Sequence, residues 1–157
     1  MGDNSGAGHN ELEKLKNLVK FLKIEDVVNF VAPVKRSELA DWYRSCDLIA
    51  MPSYSESFGL VALEAQACGT PVIASAVGGL RTAVADGISG VLVDGHDPVA
   101  WGSVITRLLL DPKRLELMPV AAVAHAKNFS WNATAKKTLA VYNQVLNGGA
   151  SNLRVVN

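Results

Sequence analysis

Excess charge of one sign, cysteine in any ligand-like spacing and a long apolar run are all missing from this sequence. Fifteen basic residues balance fifteen acidic ones, so the formal net charge is zero. A surface without surplus positive charge offers no electrostatic footprint to nucleic acid or to an anionic membrane. No apolar run approaches the roughly 20 residues of a membrane-spanning helix, and no charged-then-apolar signal segment opens the chain. The expectation is a soluble, cytoplasmic protein. Cys46 and Cys68 are the only cysteines. They stand in apolar surroundings without CxxC spacing or an adjacent histidine, so core packing is expected of them rather than a disulfide or a zinc site. His9 and His125 carry no partner pattern. His96 follows the last expected strand, where it either faces a crevice or is a solvated turn residue. Gly78-Gly79 lacks the third glycine of a dinucleotide fingerprint, which argues against a nicotinamide site. The Asn-x-Ser/Thr triplets at Asn128 and Asn132 are chance sequons in a cytoplasmic chain.

Apolar residues make up 49% of the 157 positions, ample for one buried core in one domain. Strand and helix signals alternate along the chain. A glycine-rich polar entry (1–8) precedes an amphipathic helix over Glu11–Leu22, with Leu12, Leu15, Leu18, Val19 and Leu22 on one face. The β-branched run Val27–Val31, ended by Pro33, reads as a strand. Ser37 reads as the cap of a helix over Glu38–Arg44. Asp47–Met51 is a nearly continuous apolar run that suits a strand buried on both faces, and Pro52 stops it. Further strands are expected at Val72–Ala74 and Gly90–Val93, with a brief helix from Gly78-Gly79 to Ala85 between them. Three helices are expected near 98–110, 112–127 and 131–146, and residues 148–157 read as a flexible tail. Such alternation predicts an α/β class with a Rossmann-like, doubly wound parallel sheet.

The stretch DLIAMPSYSESFGLVALEAQACGTP, Asp47–Pro71, carries the chemistry. It passes from strand through a polar loop to a helix over Phe58–Cys68, with Ser57 placed as N-cap and Gly59 in the first turn. At the carboxyl end of a parallel strand, a helix start is an anion site, because open N–H groups and the helix dipole point into the crevice. Glu56 in the loop and Glu64, about two turns into the helix, are good acceptors for vicinal hydroxyls. A phosphate flanked by two polyhydroxyl groups, as in a nucleotide sugar, satisfies the loop and both acids together. The plainer alternative is that Ser57 merely caps and both glutamates are solvated.

Glu56-Ser-Phe-Gly-Leu-Val-Ala-Leu-Glu64-Ala, continued by Ala67-Cys-Gly-Thr-Pro-Val-Ile-Ala74 and Gly78-Gly79, resembles the Glu-x7-Glu donor signature of retaining glycosyltransferases of the two-domain GT-B fold, family four. The resemblance implies that Glu56 meets hydroxyls of the transferred sugar. It also implies that the N–H groups of Gly59, Leu60 and Val61 hold the distal phosphate, that Glu64 binds the ribose diol, and that Val34 contacts the uracil of a UDP-sugar. A side chain at Gly59 is then expected to fill the phosphate space while leaving the fold intact. In the members that use an inositol phosphate acceptor, a magnesium site lies away from the chemistry. The matching positions are Tyr43, Arg44, Cys46 and Thr70, and four mainly neutral ligands imply a weak, structural ion. Asp86 matches the acid of a structural turn.

The resemblance also implies an N-terminal acceptor-binding domain and two first strands outside this sequence, together with a basic loop that nothing before Glu11 supplies. No catalytic residue is assigned within the chain, and the chain alone is expected to be inactive. In the strand order 3-2-1-4-5-6, Val27–Val31 would be the third strand and Asp47–Met51 the fourth. Without the first two, either Val27–Val31 slides beside Asp47–Met51 or exposed edges drive self-association. Another family-four transferase and a non-catalytic nucleotide-sugar-binding module are the alternatives.

Overall fold

The computed structural model describes residues 6–147, with side chains from Glu11 onward. The tail expected over 148–157 and the first part of the expected glycine-rich entry lie outside the described residues. The chain divides into two compact units, one ending at Lys35 and the other beginning at Arg36.

The N-terminal unit is α1 (Gly6–Leu22) and the irregular segment after it. Ion pairs Lys14–Glu11 and Lys16–Glu13 support its exposed face at 3.3 and 2.9 Å. Lys23 at φ 56° turns the chain out of the helix. Its N–H donates to Lys20 O (3.1 Å) and that of Ile24 to Val19 O (3.2 Å), which satisfies two of the last carbonyls in a left-handed cap. The strand expected over Val27–Val31 is not formed. Val27 lies in a turn with its N–H donating to Ile24 O, and Val27 and Val31 are 77% and 54% exposed. β-Branched residues favour a strand only where a neighbouring strand and a covering layer receive them, and this run has neither.

The second unit is a three-layer α/β body. Its elements are α2 (Arg36–Arg44), β1 (Ile49–Met51), α3 (Leu60–Ala67), β2 (Val72–Ser75), α4 (Leu80–Ala83), β3 (Gly90–Val93), α5 (Pro98–Leu109), α6 (Pro112–Ala126) and α7 (Trp131–Leu146). The strands are parallel in the order β1-β2-β3, with Ile49 opposite Val72 and Val72 opposite Gly90. All four residues of β2 are buried, as a central strand covered on both faces requires. Val72 and Ala74, with Met51, pack against Ala62, Leu63 and Ala65 of α3 and Leu80 and Ala83 of α4. Ile73 and Val93 point the other way, against Trp101 and Leu108 of α5 and Met118 of α6. The period-2 alternation of β2 thus separates two apolar layers, which makes the sheet doubly wound.

Helix boundaries follow local chemistry. Asp97 accepts from Val99 N and Ala100 N and precedes Pro98 at the start of α5; Asp111 accepts from Arg114 N and precedes Pro112 at the start of α6. Ser130 caps α7 through Ala133 N. Ser57 does not cap α3. The N-cap is Gly59, at φ 84° and ψ 40°, which offers no side chain. A left-handed turn between Ser57 and the first helical residue takes the serine out of reach. No helix among the described residues is long and apolar enough to cross a membrane.

Candidate functional site

Three loops leave the carboxyl ends of β1, β2 and β3: Pro52–Gly59, Ala76–Gly79 and Asp94–Asp97. They are bonded to one another. Gly79 N donates to Glu56 O at 2.8 Å, and the His96 imidazole Nε2 lies 3.1 Å from Ser53 O and 3.4 Å from Ser75 Oγ. His96 is half-buried, and the Tyr54 ring stacks on it at 3.9 Å between centroids and 10° between planes. Of the two alternatives open to His96 in the sequence, the crevice is the one it takes.

Gly59 delivers the chain from the first loop into α3. Because it caps with no side chain, the N–H groups of Leu60 and Val61 open the helix without an intrahelical partner. A Cβ at Gly59 would stand 2.9 Å from Ala83 Cβ and 3.1 Å from Leu80 Cδ2, and its φ of +84° disfavours any L side chain. The expectation that valine here fills ligand space and spares the fold is therefore corrected: the side chain would enter the α4 contact. Gly59→Val should lower the melting temperature as well as ligand affinity, and thermal denaturation checks this. A variant that melts with the wild type would contradict it.

Glu56 is half-buried, with Oε1 accepting from Phe58 N at 3.4 Å. Glu64 is exposed on α3 as its fifth residue, little more than one turn in rather than two, about 6 Å along the axis from Leu60. Its Oε2 accepts from the Tyr43 hydroxyl at 3.3 Å. That phenol is held above its usual pKa, first by burial and then by the Glu64 charge and the hydrogen bond to it, so it remains a donor. Glu64 borders a cleft of about 550 Å³ lined by Phe58, Leu60, Leu63, Phe129 and Trp131 among others; Glu56 is not among its lining residues. Val34 is half-buried in the N-terminal unit.

Of the four residues carried over for a metal, three are joined by hydrogen bonds. Tyr43 O accepts from Thr70 Oγ1 at 2.6 Å and from Cys46 N at 3.2 Å. The Arg44 guanidinium instead pairs with Asp41 at 2.8 Å, and Cys46 Sγ donates to Trp42 O. Cys46 is exposed and Cys68 half-buried, which corrects the expectation of core packing for both. Cys46 falls just past the end of α2, where its side chain folds back on the helix. No cluster of three or more His, Cys, Asp or Glu suited to a metal occurs among the described residues. Asp86 accepts from Leu92 N at 2.9 Å and closes the turn before β3, a structural role as expected.

Sequence reasoning missed the Tyr43 hydroxyl on Glu64 and the Tyr54–His96 stack. It also missed the edge contacts by which Phe129 meets both Phe58 (6.4 Å) and His125 (5.2 Å). The GHDP turn after β3 was the one available signal for His96.

The sequence model of the family described as glycosyl transferases group 1 matches residues 5–124. A D-inositol 3-phosphate glycosyltransferase of Thermobispora bispora is 53% identical over 146 residues, 93% of this chain and 34% of that protein. Among solved structures, the sucrose-phosphate synthase of Thermosynechococcus elongatus is 37% identical with a TM-score of 0.77, covering 88% of this chain and 35% of its own. Anabaena HepE in complex with UDP-glucose is 25% identical with a TM-score of 0.75, covering 85% and 37%. This chain therefore spans about a third of the length of the proteins it matches.

Proposed function

We propose that this chain, which belongs to the glycosyl transferases group 1 family and has the fold of part of the C-terminal domain of a GT-B enzyme, holds the UDP-sugar donor of a retaining glycosyltransferase. The observation that carries the reading is the side-chain-free start of α3 at the carboxyl end of β1, with Glu56 before it and Glu64 after it. The N–H groups of Gly59, Leu60 and Val61 take the distal phosphate, where the helix dipole favours negative charge. Glu64, oriented by the Tyr43 hydroxyl, accepts from the ribose diol. Glu56 accepts from hydroxyls of the sugar. Donors aimed at the leaving diphosphate stabilise the charge that develops as the glycosidic bond breaks.

The parent enzyme, on this reading, transfers N-acetylglucosamine from UDP-N-acetylglucosamine to 1D-myo-inositol 3-phosphate in mycothiol assembly. Support comes from the relative at 53% identity that carries the inositol phosphate in its name. The acceptor is bound by an N-terminal domain, so the chain alone binds donor without transferring sugar. The outer edge of β1, which no strand among the described residues pairs, is the surface through which copies of the chain self-associate. The similarity to sucrose-phosphate synthase, and to HepE in complex with UDP-glucose, favours a second reading, in which the chain belongs to another family-four transferase with UDP-glucose as donor.

Magnesium fits as a structural ion only. Tyr43 O and Thr70 Oγ1 are hard oxygens already 2.6 Å apart, and Arg44 and Cys46 can add main-chain oxygens. With no carboxylate among the four, the shell is weak for a hard cation. When bound it would tie the end of α2 to the turn between α3 and β2 and take no part in the reaction.

Calorimetric titration with UDP, UDP-N-acetylglucosamine and UDP-glucose, paired with a transfer assay on inositol 3-phosphate, tests the proposal. Binding of UDP with a preference for the N-acetylglucosamine nucleotide supports it. A preference for UDP-glucose moves the assignment to the second reading, and no binding of any of the three contradicts both.

A further inference from the structure

One imidazole touches the ends of all three strands. His96 belongs to the loop after β3, and both its neighbours are fixed: Gly95 O accepts from the Trp101 indole at 3.1 Å, and Asp97 caps α5. Its Nε2 reaches Ser53 O, in the loop after β1, at 3.1 Å, and Ser75 Oγ, the wholly buried last residue of β2, at 3.4 Å. A main-chain carbonyl only accepts, so Nε2 must carry the hydrogen and donate. The opposite tautomer would set two lone pairs against each other. The Tyr54 ring, 82% exposed and without other support among the ring contacts described, lies flat on the imidazole.

The other restraints on the loop Pro52–Gly59 act on its middle and end, where Gly78 and Gly79 pack against Glu56, Ser57 and Phe58. Its middle is held by Gly79 N on Glu56 O, and its end by the left-handed turn at Gly59. Its beginning, Ser53-Tyr54, rests on His96. We infer that His96 is a positioning residue for the sugar-facing carboxylate: by donating to Ser53 O and stacking under Tyr54, it sets the path of the loop that carries Glu56. The inference rests on the donor reading above and extends it, because it makes sugar recognition depend on a residue that touches neither phosphate nor ribose. The ligand class concerned is the hexosyl part of a nucleotide sugar; the nucleotide is held from α3 and should not sense the change.

His96→Phe keeps a ring for Tyr54 and removes the N–H. The expected result is UDP affinity within about twofold of wild type, with UDP-N-acetylglucosamine weakened by about fivefold or more. In the ligand-free chain, amide exchange across Tyr54–Ser57 should be several-fold faster while the melting temperature stays close to wild type. A merely structural histidine would weaken both ligands in proportion, and that outcome overturns the inference. Unchanged exchange across Tyr54–Ser57 overturns it too, whatever the ligands do. A wild-type chain that binds neither UDP nor the sugar nucleotide removes the donor reading and the sugar role of His96 with it. A wild type that binds both, with the ratio preserved in His96→Phe, removes the inference alone.

Discussion

Glu64→Ala should weaken UDP and UDP-N-acetylglucosamine alike, whereas Glu56→Ala should weaken the sugar nucleotide and leave UDP within about twofold. The asymmetry follows from what each acid is proposed to meet. The ribose is common to both ligands, and Glu64 stands on α3 with Oε2 already accepting from Tyr43, so its carboxylate is oriented before the ligand arrives. Losing a charged acceptor costs about 1.5–3 kcal/mol, roughly tenfold to a hundredfold in affinity. Glu56 lies in the loop, its Oε1 turned toward Phe58 N at 3.4 Å, and its carboxylate must leave that long bond to meet a hydroxyl. Titration of both variants with both ligands reads the four affinities. Equal loss of plain UDP in Glu56→Ala and Glu64→Ala would show that the roles are wrongly divided.

The second large effect is expected at Gly79, where a single methyl group should both destabilise the chain and abolish UDP binding. Gly79 has an ordinary helical φ of −63°, so no backbone strain is involved. Space is the whole argument. A Cβ there would stand 2.5 Å from Phe58 Cα and 2.5 Å from Ser57 O, which are backbone atoms that cannot rotate away. Ordinary contact needs about 3.5 Å or more, so the loop would have to retreat by about an ångström and give up the bond from Gly79 N to Glu56 O. Forced displacements of this kind cost about 1–3 kcal/mol, a fall of several degrees in melting temperature for a domain of this size. The part that must move is the end of the loop, Ser57-Phe58, next to Gly59, and the N–H groups that open α3 move with it. Gly79→Ala that melted with the wild type and bound UDP as well would show that the loop has slack the structure does not display.

What was legible in the sequence, and what was not, divides along local and non-local lines. The Asp-Pro starts of α5 and α6 announce themselves because each depends on its own few residues, and the strands before Pro52 and after Pro71 form because each finds a partner in the same sheet. At the end of the sheet order and with Ala50 exposed, β1 is shorter than expected and not buried on both faces. Val27–Val31 has the same β-branched composition and is not a strand, since a strand exists only with a neighbour. Ser57 satisfies the usual N-cap pattern, yet the close packing of Gly59 on Ala83 and Leu80 sets a left-handed turn that displaces it. For the same reason the direction of a Cβ at Gly59, into α4, could not be read from spacing. The acids Glu56 and Glu64 were legible through their spacing from a glycine-bearing helix start. Tyr43 and His96 were not, because what matters in each is a contact 21 or 43 residues away.

The central claim is that the start of α3 holds a nucleoside diphosphate, and it is tested most directly by following backbone amide resonances while UDP is added. The account predicts that the largest shifts fall on Gly59, Leu60 and Val61, with smaller ones through Glu64 and at Gly78 and Gly79, and none at the Asp86–Gly90 turn on the opposite end of the sheet. Saturating UDP that leaves Gly59, Leu60 and Val61 unmoved, or that shifts only residues remote from them, would contradict it.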